Sequence, residues 1–445
     1  MGGAICMMYA NNIKDIANAF NPSPLKGEQL KEFYCDETMK YRTGDEFSSP
    51  TDNILEACKM PSDKNVFLLM GHEGCGKSTE LNEMSSKLVK EGYKVSTVLC
   101  KENLDLINIV YTDLLILMGE ALVRIANEVG CKLDGKTIEE LLSFWPIEKE
   151  RVTTSEKSSE LSAGAEAQIG APSFFTRILN LSWSSKAELR YNTIRRDESR
   201  EKMKQSASDW LSMLNTIADS VTEKMEGKQP ILIFEDLDKI TNLDVIYEIF
   251  CNYATTMSGV SFPVIYTFPI EFSYSPRFAS LYGYYVPNTL PMIKLKSIDD
   301  KLFKAGVDVV MKIISKRVEL SLFDKNVLKK LIVKTGGSLR DLFSSIITSA
   351  KRANRRKSPT ISMEDANQAL MELKSSLTRR IEEKHYNFLK KICKGERQRI
   401  ENKEMLLELL QAHAVLEYNS KRWHDVHPLV RDFLDEQGLL NSEQQ

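Results

Sequence analysis

Residues Met70-Gly71-His72-Glu73-Gly74-Cys75-Gly76-Lys77-Ser78-Thr79 decide how this chain is read. Asn65-Val66-Phe67-Leu68-Leu69-Met70 precedes them as a short apolar run, and Glu80 to Val89 follows with helical spacing. The order is strand, glycine loop, helix, and Gly71 to Gly76-Lys77-Ser78 fits G-x-x-x-x-G-K-[ST], the phosphate-binding loop. Small residues let the backbone N–H groups from Gly71 through His72, Glu73, Gly74, Cys75 and Gly76 to Thr79 turn inward on phosphates. The start of the following helix adds the positive end of its dipole. Lys77 is expected in an open cleft, bridging the β- and γ-phosphates of ATP, and the Ser78 hydroxyl is expected on Mg2+. A chance match in a glycine turn is the alternative, and the flanking strand and helix argue against it.

The second half of such a site is a buried strand delivering carboxylates from its C-terminal edge. Pro230-Ile231-Leu232-Ile233-Phe234-Glu235-Asp236-Leu237-Asp238 has that form. Glu235 is read as the carboxylate supporting the metal, together with Ser78, and Asp236 as the one polarising water. Asp238 is a third carboxylate or only the cap of a following helix. Pro263-Val264-Ile265-Tyr266-Thr267-Phe268-Pro269 reads as a further strand, with Thr267 the candidate sensor of the γ-phosphate. Arg277 is either a finger toward a neighbouring subunit or an ordinary loop arginine.

The chain has 445 residues, enough for about two to four domains. An apolar share of 42% with 27% charged residues marks an ordinary globular composition, and a formal net charge of -2 gives no global pull toward nucleic acid or anionic membrane. Eight scattered cysteines without a C-x-x-C pair argue against a zinc site or a disulfide framework and for reduced thiols in a cytoplasmic protein. Cys75 is either a small filler or a thiol whose alkylation blocks nucleotide. No run approaches the ~18 apolar residues of a membrane span, and Met1 to Phe20 is too polar for a signal peptide.

Four stretches follow in order. Residues 1–64 form a helical and linker segment with a breaker at Asn21-Pro22-Ser23-Pro24, and in it Tyr41 and Arg42 are candidates for contact with adenine and ribose. Residues 65–296 form a parallel α/β core containing a strand at 93–100, a helix at about 106–129 and an insertion at about 132–205. The insertion is either a partner-binding arm or a structural embellishment. From 297 to 374 only helix is expected. Gly336-Gly337 ends one helix there, Ser338 caps the next and Arg340 lies in its first turn. The basic run 351–357 is a solvated face or an anion contact. Residues 375–445 hold helices at 378–391 and 402–413 and two short strands within 414–430, the pattern of a winged helix. Its acid-rich Glu401 to Gln411 favours a regulatory role over a DNA-reading one.

Together the phosphate loop, the acidic strand end, Gly336-Gly337-Ser338-Leu339-Arg340-Asp341 and the terminal helices with a hairpin resemble AAA+ and STAND ATPases, in their initiator-like and archaeal-type branches. The resemblance implies an α/β P-loop NTPase core, with helices on both faces of a parallel sheet, then a helical lid and a C-terminal winged helix. It implies a slow ATPase switching between ATP and ADP states, with Arg340 as the lid's sensor of the γ-phosphate. It also implies that His427 holds the ADP-bound closed state, although His427 equally reads as a packed histidine before Pro428. Homo-oligomers in the ATP state, a protein partner or effector and a role in defence against phage belong to the same implication. A DNA-binding initiator or loader is the competing reading. Glu235-Asp236 inverts the usual acid order, and no effector domain is expected within these residues.

Overall fold

The computed structural model describes residues 9–43, 49–60, 62–131, 200–201, 203–398, 400–418 and 422–440. Strands β1 (Val66–Met70), β2 (Val95–Leu99), β3 (Ile231–Glu235), β4 (Val264–Phe268) and β5 (Val286–Thr289) form one parallel sheet in the order β2-β3-β4-β1-β5. Every residue of β1, β3 and β4 is buried. Their near-continuous apolar sequences follow from that, because a parallel strand covered on both faces has no solvent side to alternate toward. β5, Val286-Pro287-Asn288-Thr289, is only partly buried and lies at the sheet edge. It carries no sequence signal for a strand, since Pro287 cannot donate to a ladder and is tolerated only at an edge.

Alternate strand residues feed two cores. Val66, Leu68 and Met70 join Leu232, Phe234, Val264, Tyr266 and Phe268 against the helices Tyr111–Glu128 and Ala207–Lys224. Those two helices touch closely: a Cβ on Gly119 would stand 2.5 Å from Cζ2 of Trp210, whose indole N–H donates to the Leu115 carbonyl at 2.9 Å. On the opposite face Phe67, Leu69, Ile231, Ile233 and Ile265 pack against the helices Pro50–Lys59 and Lys77–Lys90. The fold is thus a P-loop α/β core with helices on both faces of a parallel sheet.

A helical region follows, with Lys304–Ser315, Val327–Lys334, Leu339–Arg355 and Met363–Thr378. Next come Glu383–Cys393, Lys403–Gln411, the antiparallel pair β6 (Val415–Tyr418) and β7 (Trp423–Val426), and Pro428–Glu436. The helix expected at 378–391 begins instead at Glu383, Thr378 being the last residue of its predecessor. These elements share one core, which also takes Ala10, Ile13, Ile16, Ala19 and Phe20 from the N-terminal stretch. The hairpin does not stand free. All eight of its strand residues are buried, and Leu416, Tyr418 and Trp423 pack into the core beneath the phosphate loop. Most of the expected insertion at 132–205 lies outside the described residues, and among those described no helix is long and apolar enough to cross a membrane.

Candidate functional site

The loop leaves β1 at Met70 and enters the helix Lys77–Lys90 through Gly76, whose φ of 109° favours glycine. Gly74 is set by a neighbour as well as by its backbone: a Cβ there would stand 2.6 Å from the Cβ of Arg340. The start of the helix Leu339–Arg355, capped by Ser338, is therefore seated on the loop, and Arg340 pairs with the loop's own Glu73. Cys75 turns its thiol inward, Sγ lying 3.7 Å from the Leu290 carbonyl, while its own carbonyl accepts from Arg42 Nη2 at 2.6 Å. Arg42 is buried and also donates to the Pro291 carbonyl at 2.8 Å, so it braces the loop from beneath. Tyr41, beside it, does not line the cleft and packs against Phe303, ring centroids 6.0 Å apart.

Lys77 is not in an open position. It is only 5% exposed, with Nζ 2.7 Å from Asp238 and donating to the carbonyls of Gly71 (2.6 Å) and His72 (3.0 Å). Burial opposes the charge on both partners, but each outweighs it for the other: the Asp238 carboxyl is held below its usual range and the Lys77 ammonium above its own. Asp238 is also hydrogen-bonded by the Thr267 hydroxyl, and Thr267 Oγ1 lies 3.5 Å from the Phe234 carbonyl. β4 lies between β1 and β3 and brings Thr267 to the acidic turn.

The three carboxylates at the end of β3 point in different directions. Glu235 is buried, its pKa raised by that burial against the hydrogen bond from Ser78, so these two side chains meet at the first turn after the loop. Asp236 adopts φ 78° and turns away, pairing with Lys239 and accepting from the Lys101 backbone N–H at 3.4 Å. Asp236 and Asp238 both line the cleft, and it is Asp238 that stands beside Lys77. Glu271, just beyond β4, adds a buried carboxyl pushed up to about 7 by burial, with the Lys77 charge acting against it. Sequence reasoning missed it because nothing in Ile270-Glu271-Phe272 marks a site.

The cleft measures about 1060 Å3 and is lined by Glu73, Gly74, Gly76 to Glu80, Arg340 and the acidic turn. Its other wall is the N-terminal strap, including Asn21 to Lys26, Phe33, Thr38 and Arg42, facing Ile313, Arg317 and Phe343. The strap is tied across the loop helix: Asn82 donates to the Leu25 carbonyl at 2.9 Å and Tyr34 Oη to Glu80 at 2.7 Å. Ser78 and Glu235 suit Mg2+, which takes one or two protein oxygens and completes its shell with phosphates and water. Among the described residues no group of three or more His, Cys, Asp or Glu side chains forms a separate metal site.

His427 is not at the cleft. It is fully buried, its Nδ1 accepts from the Leu429 backbone N–H at 3.2 Å to cap the helix Pro428–Glu436, and its pKa is lowered to about 3 by burial. The histidine that joins the C-terminal hairpin to the loop is His72, whose Nε2 accepts from the Glu417 backbone N–H at 2.8 Å. The neighbouring Glu417 carbonyl accepts from Met292 N–H at 3.3 Å, and Tyr418 Oη donates to the Gly336 carbonyl at 2.6 Å. Arg277 is half-exposed, pairing with Asp244 at 2.9 Å over the Tyr247 ring.

No protein-family model matches the chain, and no curated protein matches it in sequence. Among solved structures it is similar to the Walker-type ATPase PABY2304 of Pyrococcus abyssi, at 13% identity and a TM-score of 0.45 over 94% of this chain and 99% of that one. It is similar also to the Aeropyrum pernix ORC2 protein in ADPNP–ADP complexes (10%, 0.37, 88% and 92%) and to Thermotoga maritima RuvB, a Holliday junction branch migration motor (12%, 0.35, 93% and 98%). At these values the function must be argued from the cleft itself.

Proposed function

We propose that this chain binds ATP with Mg2+ at Gly71–Thr79, hydrolyses it slowly, and uses the nucleotide state to set how its C-terminal hairpin sits on the nucleotide core. The observation carrying this reading is the buried hydrogen bond from Glu417 N–H to His72 Nε2. The carbonyl of the same His72 holds Lys77. One loop residue thus connects the lysine meant for phosphates with the far end of the chain.

Incoming β- and γ-phosphates compete with Asp238 for the Lys77 ammonium, and a γ-phosphate competes with Glu73 for Arg340 through a charge-assisted bond. Ser78 and Glu235 would hold Mg2+, which neutralises charge on the transferring phosphoryl group. Asp238, released from Lys77 and hydrogen-bonded by Thr267, then faces the cleft as the carboxylate that orients water, the part first read onto Asp236. A nucleotide shifts the docking equilibrium only by its difference in affinity for the two arrangements, typically ~1–3 kcal/mol. In the ATP state the released surface would serve a protein partner and further copies of the chain.

A duplex-binding loader fits the fold about as well, and local features weigh against it. The strands of the hairpin are covered by the core, Arg352 lies 3.7 Å from Glu372, and Arg356 is paired with Asp365.

Hydrogen exchange at residues 415–426, measured in ADP and in a non-hydrolysable ATP analogue, tests the coupling. Protection should be lower with the analogue, and Lys77→Ala should abolish both nucleotide binding and the difference. Equal protection in the two nucleotides, each bound at saturation, would refute the switch and leave a plain ATPase.

A further inference from the structure

Arg317 follows the helix Lys304–Ser315 and is only 3% exposed, yet among the described residues no carboxylate pairs with it. Its guanidinium carbon lies 5.5 Å from the Phe33 ring centroid and 5.2 Å from that of Phe343, so strap and lid hold the plane between them. Nη1 is committed, donating to the carbonyls of Ile313 at 2.7 Å and Phe33 at 3.4 Å. Nε–H has no partner, and Nη2 donates to no described group. Those two nitrogens form the side edge of the guanidinium, the fork that engages two adjacent acceptors at once. A buried cation with an unused donor edge is costly unless something supplies acceptors. Burial accordingly lowers its pKa to about 10.

Arg317 lines the same cleft as the phosphate loop but not the same end. Arg340 is seated on Gly74; Phe343, which contacts Arg317, is three residues further along the same helix, or about 5 Å along its axis. With phosphates on the loop, Arg317 is left to the remainder of the nucleotide, its ribose and base.

We propose that Arg317 is a specificity-determining residue of this cleft, its Nε/Nη2 edge donating to the acceptor edge of a purine base. The inference rests on the nucleotide reading above and adds which feature of the base is recognised. A guanidinium has donors only, so it reads N7 and a 6-oxo group, the pair an arginine fork fits best, and gains nothing from the exocyclic amine of adenine. Adenine offers it one acceptor; hypoxanthine offers two.

Calorimetric titration of the intact chain with ADP, inosine diphosphate, 7-deaza-inosine diphosphate and tripolyphosphate tests this. The wild type should bind inosine diphosphate at least as tightly as ADP and should lose about tenfold when N7 is removed. In Arg317→Met, and also in Arg317→Lys, which keeps the charge but not the fork, the inosine-to-adenine affinity ratio should fall about tenfold. Because a ratio within one protein cancels general loosening of the strap, a merely structural Arg317 would leave it unchanged. An inosine nucleotide bound more than tenfold weaker than ADP, or no loss on removing N7, would overturn the proposal on the wild type alone. Tripolyphosphate binding as tightly as the nucleotides would overturn it while sparing the phosphate loop. Failure of every ligand to bind would remove the nucleotide reading and this one together.

Discussion

Replacing Lys77 by alanine should destabilise the protein as well as remove phosphate binding, although a lysine in an open cleft would have left stability unchanged. Lys77 and Asp238 are 5% and 10% exposed and 2.7 Å apart. At an effective dielectric of about 20 their gross attraction is about 6 kcal/mol. Removing one partner of a buried pair costs about 3–5 kcal/mol net, because the other is left charged and unpaired. The low end applies here, since Thr267 still donates to Asp238 and Lys239 lies nearby. We therefore expect a loss of about 3 kcal/mol for Lys77→Ala at pH 8 by urea unfolding without nucleotide. The pH dependence identifies the cause. In the wild type the folded Asp238 pKa lies below its ordinary value, so its contribution is fully present above that value and is lost only as pH falls through the depressed folded pKa. In the variant only Thr267 and Lys239 are left to oppose burial, the folded pKa rises, and the deficit should shrink as pH falls toward 5 and Asp238 takes up a proton. The double variant Lys77→Ala/Asp238→Asn should regain most of the loss at pH 8. A deficit equal at pH 5 and pH 8, or a double variant no more stable than Lys77→Ala, would refute the buried-pair account.

Phosphate release under saturating ATP should fall at least tenfold in Asp238→Asn and change little in Asp236→Asn, which faces Lys239; the opposite ranking would return the water-orienting role to Asp236. Glu271 has its folded pKa raised to about 7, so wild-type stability should decline as pH rises from about 4.5 to 7 and then level off. Glu271→Gln should remove up to about 3 kcal/mol of that slope, read from urea midpoints across the range. Gly119→Ala places a methyl against Trp210 and should cost about 1–3 kcal/mol by overpacking; an unchanged midpoint would mean that the two helices separate freely. His427→Ala should cost about 1 kcal/mol through the lost helix cap while leaving ADP affinity unchanged, whereas weaker ADP binding would restore it as a nucleotide contact.

What the sequence made legible was local. The phosphate loop, the strands at 66–70, 231–235 and 264–268 and the capping of Leu339–Arg355 by Ser338 each depend on neighbours within a few residues, and their patterns survive in one dimension. Arg340 was reachable in the same way, because its place in the first turn follows from the cap. Asp236 and Asp238 were not separable. Both follow the same buried strand, and which one faces Lys77 depends on the left-handed backbone at Asp236, a conformation that aspartate tolerates but does not announce. β5 was hidden by its proline. Arg317 and Glu271 gained their meaning only from partners that tertiary packing supplies or withholds.

The placement of His72 shows how a histidine other than His427 comes to join the hairpin to the loop. A histidine before a proline at the start of a helix is sufficiently explained by capping, and His427 is used that way, with its ring enclosed in the C-terminal core. His72 sits at a variable position of the loop motif, where any side chain satisfies the pattern, so the motif itself is silent about it. Its burial creates the constraint. The ring is 1% exposed, its pKa is held well below the ordinary value first by burial and then by His413 and Lys77, and a neutral imidazole has one acceptor nitrogen to offer. The donor that fills it is a backbone N–H of the hairpin, 345 residues away in sequence. Of the substitutions at Glu417, only proline would remove that backbone donor. The two ends of the chain are therefore joined through the side chain at 72 and the docked hairpin, which is the contact the proposed response to phosphate would use.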